Sequence, residues 1–188
     1  LLYYKENTVP EIVDIHSGYS EIPAFGVALD LGSNSIAETR CDLNSGKIVG
    51  SKGIMNPQIR YGEDVMSRVS YCMMEEKGLA TLNNSVIQGI NELTRKIAEK
   101  HGIKLDSVFE IVFVANPIMH HLLLGIDPKE LGQAPFPLAL SDSLTIKSKD
   151  IGIILNPESY VYTVPCIGGH VGADAASVLI AEQPQKLK

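Results

Sequence analysis

Basic residues are scarce in this sequence: 16 lysines and arginines stand against 22 aspartates and glutamates in 188 residues, a formal charge of −6. Binding along a phosphate backbone needs a clustered basic surface, and none is visible, which argues against nucleic acid as a partner. Long apolar runs are lacking too. None approaches the roughly 20 residues a membrane-spanning helix requires, and no basic-then-apolar targeting segment opens the chain. Cysteine is sparse: Cys41, Cys72 and Cys166 lie far apart and form no C-x-x-C pair. That leaves no local basis for a zinc site or an iron–sulfur cluster. An odd, scattered count also argues against a disulfide framework and for a cytoplasmic protein. The thiols read as small buried hydrophobes.

What is present is a 45% hydrophobic chain, enough for one well-cored domain. Residues 1–23 are aperiodic and broken by Pro10, Gly18 and Pro23, so they read as a linker or the edge of a preceding domain. The opening Leu1-Leu2-Tyr3-Tyr4, without methionine, is expected of a piece of something longer. A domain over residues 24–183 follows. Three strands come first: Phe25 to Asp30, Ile36 to Leu43 by alternation, and Ile48 to Met55, joined by tight turns into an antiparallel meander. Helical spacing of Val65, Val69 and Cys72 predicts a helix over about 62–76. Leu82, Val86, Ile90, Leu93 and Ile97 predict a long one closed at Gly102. A buried strand at Phe109 to Ala115, a short helix over Met119 to Leu124, an extended crossing at 126–150, a strand at Tyr160 to Cys166 and a small-residue helix from Ala173 to Ala181 complete a mixed sheet with helical cover.

The densest chemistry is Asp30-Leu31-Gly32-Ser33-Asn34-Ser35, at the tip of the first hairpin. Gly32 permits close backbone approach, and consecutive N–H groups with hydroxyls beside them can cradle phosphate oxygens. Asp30, ending a buried strand, can hold Mg²⁺ through water. Gly168, Gly169 and Gly172 open the last helix and either admit phosphate at its N-terminus or allow tight helix–sheet packing. Asp174 is a second candidate for magnesium. His120 and His121 precede a leucine run and read first as satisfied structural residues. Asp64 reads as an N-terminal helix charge. Asn56 to Gly62 is rich in side chains that make directed contacts. Arg60, Tyr61 and Arg68 are the candidate partner-contacting residues, since Arg and Tyr are often energetic at interfaces.

A D-x-G turn inside a three-stranded meander, followed by helix, strand and helix, resembles the ribonuclease-H-like lobe of the actin, Hsp70 and sugar-kinase superfamily. Four stretches carry a closer resemblance, to the reductive activators of corrinoid proteins. They are Gly26 to Gly32; Asn56-Pro57-Gln58 with Arg60 to Arg68; Met119 to Pro128; and Pro165 to Asp174. Three features depart from that family's pattern. Ser33-Asn34-Ser35 stands where threonines are usual, Pro117 stands where a glycine–asparagine–threonine run ends, and the second phosphate loop does not follow the last helix.

The resemblance implies an α/β lobe of an ATP-dependent activator. Asp30, Gly32, Ser33, Asn34 and Ser35 would lie at the nucleotide, with Gly168, Gly169, Gly172 and Asp174 beside them. ATP and Mg²⁺ would be the cofactors of the full-length protein, and an iron–sulfur cluster would sit only in an amino-terminal domain outside this chain. The partner would be a corrinoid protein whose cob(II)alamin is returned to cob(I)alamin, and residues 184–188 would lead into a second lobe of the same chain. A homodimer, a small-molecule kinase of the same superfamily, and a non-catalytic interaction lobe stay open.

Overall fold

The computed structural model describes residues 2–3, 9–15, 17–18, 22–183 and 186. Two short strands, β1 (Leu2–Tyr3) and β2 (Glu11–Ile12), form an antiparallel ribbon. Just beyond it, Val13 and Ala24 are buried with Phe109 and Tyr160, and the Tyr160 hydroxyl donates to Glu11. The described part of the segment read as a linker thus lies against the lobe. The tail expected at 184–188 falls outside the described residues apart from Lys186.

Six strands make the main sheet: β3 (Phe25–Leu31), β4 (Ser35–Asp42), β5 (Ile48–Met55), β6 (Val108–Ala115), β7 (Leu144–Lys147) and β8 (Tyr160–Thr163), in the order β5-β4-β3-β6-β8-β7. The β3–β4–β5 meander is antiparallel, β6 runs parallel to β3, and β8 runs parallel to β6. Leaving aside the edge strand β7, the order and directions are those of a ribonuclease-H-like lobe, as expected. The crossing over 126–150 differs from the extended segment read from sequence, since it contains β7, antiparallel to β8.

One sheet face is covered by α1 (Val65–Met74), α2 (Gly78–His101) and α3 (Pro117–Leu123). The stripe Leu82, Val86, Ile90, Leu93 and Ile97 of α2 is at most 1% exposed, packed in one core with Leu29, Leu31, Ile36, Ile111 and Phe113. Local chemistry sets the helix ends. The Asp64 carboxylate accepts from Ser67 N–H at 2.7 Å, and Asn116 caps α3 with Pro117 at its first turn, where a missing N–H goes unnoticed. Gly102 closes α2 at φ 65°. A fully buried Arg40–Glu38 pair (2.6 Å), to which Thr94 Oγ1 donates at 2.7 Å, ties β4 to α2.

The opposite face carries Ala28, Asp30, Val112 and Val114, and α4 (Ala173–Glu182) lies over its β6 end. On α4, Val178 at the cleft and its neighbours Leu179 and Ile180 are 60%, 52% and 68% exposed.

Candidate functional site

The parallel neighbours β3 and β6 send their chains in opposite directions, β3 into β4 on one side and β6 toward β8 on the other. In an open α/β sheet such a switch point opens a crevice outside the carboxyl ends of the strands, where ligands bind. Here the crevice is a cleft of about 480 Å³ whose walls include Asp30, Val114, Asp174, Ser177 and Val178. A larger hollow of about 670 Å³, between Phe25, His101, Lys104 and Phe109, lies at the other end of the strands. It brings together none of the residues singled out from sequence.

Asp30 is next to last in β3, on the open face, and Asp174 stands in the first turn of α4. Removal from water, and then the charge of Asp174, raise the Asp30 carboxyl above its ordinary value. Two carboxylates that repel each other across a cleft suit a hard dication, which takes oxygen ligands and keeps several waters. Among the described residues no third histidine, cysteine or acid joins them. A Mg²⁺ held here would therefore have this pair as its only protein ligands from the acidic, histidine and cysteine side chains described.

The turn after β3 is tightly held. Gly32 N–H donates to the Ser35 carbonyl at 2.9 Å, and a Cβ at Gly32 would lie 3.0 Å from that oxygen. Behind the turn, the Gly32 carbonyl accepts from Asn56 Nδ2 (2.9 Å), the Ser33 carbonyl from Arg68 Nη2 (2.5 Å) and the Asn34 carbonyl from Asn56 N–H (2.9 Å). Ser33 is half-buried, while Asn34 and Ser35 are exposed.

The expectation of a partner contact at Arg68 is corrected by its burial. Arg68 is 0% exposed, and its guanidinium is taken up by Ser33 O, Gly62 O, Gln58 Oε1 and Met119 Sδ. Arg60 does reach the surface, with its guanidinium 4.8 Å from the Tyr61 ring centre. Tyr61 is half-buried against Tyr71 at 5.2 Å.

Of the three glycines before α4, two are explained by packing. A Cβ on Gly172 would lie 2.5 Å from the Ala115 carbonyl and 2.7 Å from Asn116 Cα, and one on Gly169 would collide with Phe136. A Cβ on Gly168 would meet open space. The first turn of α4 offers little to an anion, because Asp174 Oδ1 already accepts from Ala175 N–H at 2.8 Å. A carboxylate placed there repels phosphate.

His121 is satisfied, with Nδ1 2.8 Å from the Pro117 carbonyl and Nε2 accepting from Ala139 N–H at 3.2 Å. His120 departs from the expected satisfied residue. It is 0% exposed, stacked 6.2 Å from Phe113, and neither ring nitrogen has a hydrogen-bond partner among the described residues. Asn56 was legible as part of a distinctive block, but nothing local in the sequence joins it to the Gly32 turn.

A family model described as the RACo middle region matches residues 25–186. This chain belongs to that family. A curated relative of this RACo middle region, the corrinoid activation enzyme RamQ of Eubacterium limosum, is 32% identical over 170 residues, covering 90% of this chain and 29% of its own length. A solved structure described as a reductive activator for corrinoid, iron-sulfur protein superposes with a TM-score of 0.87 at 32% identity. That match covers 90% of this chain and 27% of the other. The chain thus spans less than a third of either relative.

Proposed function

We propose that this chain is the first lobe of the nucleotide site of an ATP-dependent activator. In that reading the whole protein returns the cob(II)alamin of a partner corrinoid protein to cob(I)alamin. The observation that carries the proposal is the meeting of Asp30 and Asp174 in a cleft at the sheet's switch point, beside the Ser33–Ser35 turn. The names of the two relatives supply the corrinoid context.

The turn's N–H groups and the Ser33 and Ser35 hydroxyls bind phosphate oxygens. Asp30 and Asp174 would hold Mg²⁺, which would supply positive charge beside the phosphates. A second lobe of the same protein supplies the other wall, and nucleotide shifts the two-lobed protein between states that differ in affinity for the corrinoid partner. The exposed Arg60 with Tyr61 is the candidate docking surface. The electron enters from outside this lobe. Cys72 and Cys166 are poor cluster ligands because burial pushes their thiols up, that of Cys72 to about 11.

Absorbance of the corrinoid protein, mixed with the intact activator and a reductant, tests this reading. Cob(I)alamin should accumulate with Mg·ATP and not without it. Equal accumulation in both would remove nucleotide from the function.

A further inference from the structure

Three polar side chains, Asn56, Gln58 and Arg68, are all 0% exposed at the tip of the first hairpin. Burying such groups is unfavourable compared with apolar packing of the same volume, so a turn that only had to close would not need them. Their bonds show where they act. The Asn56 and Arg68 side chains capture the Gly32 and Ser33 carbonyls, and the Asn56 main-chain N–H takes the next one, that of Asn34. Gln58 braces both: its N–H donates to Asn56 Oδ1 at 3.0 Å, its Oε1 accepts from Arg68 Nη1 at 3.3 Å, and its Nε2 donates to the Leu82 carbonyl at 2.9 Å.

In a trans peptide the carbonyl of one residue and the N–H of the next point in opposite directions. Holding those three carbonyls on the core side therefore turns the N–H groups of Ser33, Asn34 and Ser35 the other way. Among the described residues, nothing accepts from the N–H of Ser33 or Asn34. Successive outward N–H groups form an anion-binding nest, and the Arg68 guanidinium places a buried positive charge directly behind it.

We propose that Asn56 and Arg68 are positioning residues of the phosphate-binding turn, fixing its N–H groups toward phosphate without touching the nucleotide themselves. This rests on the nucleotide reading above. The test compares Mg·ATP with adenosine, which lacks phosphate, by calorimetry on the intact protein. Asn56→Asp keeps the oxygen that accepts from Gln58 and replaces the donor to Gly32 by a second acceptor. We expect Mg·ATP affinity about tenfold weaker than wild type at roughly pH 8, with adenosine affinity unchanged. The deficit relative to wild type should shrink as pH falls, because a protonated carboxyl donates where a carboxylate cannot.

A second variant, Arg68→Lys, keeps the buried charge, but its single ammonium lacks the planar fork that holds Ser33 O, Gly62 O and Gln58 Oε1 together. It serves if Asn56→Asp does not fold, and the same selective loss is expected of it. Unaltered Mg·ATP affinity in the folded variants, or equal weakening toward adenosine, overturns the assignment. A wild type that binds adenosine but gains nothing from the phosphates of Mg·ATP overturns the nucleotide reading and the assignment with it.

Discussion

Asp30 and His120 are both held away from their ordinary protonation equilibria, with opposite consequences. The Asp30 carboxyl is raised by the dry cleft and by Asp174, so its ionised form is less favourable in the folded protein than in the unfolded chain. Stability from this group is greatest when it is protonated and declines as pH rises through its folded value. Asp30→Asn should therefore raise the melting temperature slightly at neutral pH. It should also lower ATP turnover by at least about tenfold, or 1.4 kcal/mol, with ATP binding less affected. Unchanged turnover would take Asp30 out of the mechanism. At His120, burial pushes the imidazole down from 6.5 to about 4. Between those values the unfolded chain binds a proton that the folded one refuses, so stability falls as pH drops through that window. His120→Leu should lessen this acid sensitivity in urea melts at pH 7 and pH 5, and at pH 7 it should be close to neutral because it deletes an orphaned polar group. The same replacement at His121 breaks two bonds and should cost about 1–3 kcal/mol. Equal losses at both positions would show that His120 has a partner after all.

At the scale of elements, the cleft depends on how closely α4 approaches β6. Gly172 sets that distance, since its missing Cβ leaves room for the Ala115 carbonyl at the strand's end. Gly172→Ala should push the helix outward, at about 1–3 kcal/mol of overpacking. It should weaken Mg²⁺-dependent nucleotide binding with it, which thermal melts and calorimetry would show together. A melting temperature unchanged from wild type would mean that the helix start adapts freely. Strand β4 was legible in the sequence because one buried face imposes alternation, β3 and β6 because they are short apolar runs, β6 rich in β-branched and aromatic residues, and α2 because its stripe has helical period. β7 was not, because all four of its residues are half-buried and show no alternation. The Asp30 turn was legible because its chemistry is contiguous in sequence. The roles of Asn56 and Arg68 were not, because a side chain that bonds a backbone carbonyl 24 or 35 residues away leaves no periodic trace. Arg68 looked like a surface residue for the same reason: composition records the charge and not the carbonyls that bury it.

For the molecule as a whole, the decisive feature is how little stands over the open face of the sheet. In the described residues α4 is the one helix over that face, and its Leu179 and Ile180 stay exposed. If a second lobe of the intact protein closes over the cleft, an isolated 188-residue chain has one wall of a two-walled site. Small ligands gain affinity from enclosure, with most of their surface buried in a formed pocket. A nucleotide held only by the Gly32–Ser35 turn and two carboxylates leaves its base and sugar in water. We therefore expect the isolated chain to bind Mg·ATP with a dissociation constant weaker than about 10 μM, roughly −7 kcal/mol, and to hydrolyse none, while the intact protein does both. Replacing Leu179 and Ile180 by glutamate separates this account from a simple folding defect. In the isolated chain those changes should leave the melting temperature nearly unchanged, because the side chains are already in water. In the intact protein they should weaken nucleotide binding, because they would place charge where the second lobe packs. Tight Mg·ATP binding by the isolated chain would show that this lobe contains the whole site. Full activity of the intact double variant would show that the second lobe closes elsewhere.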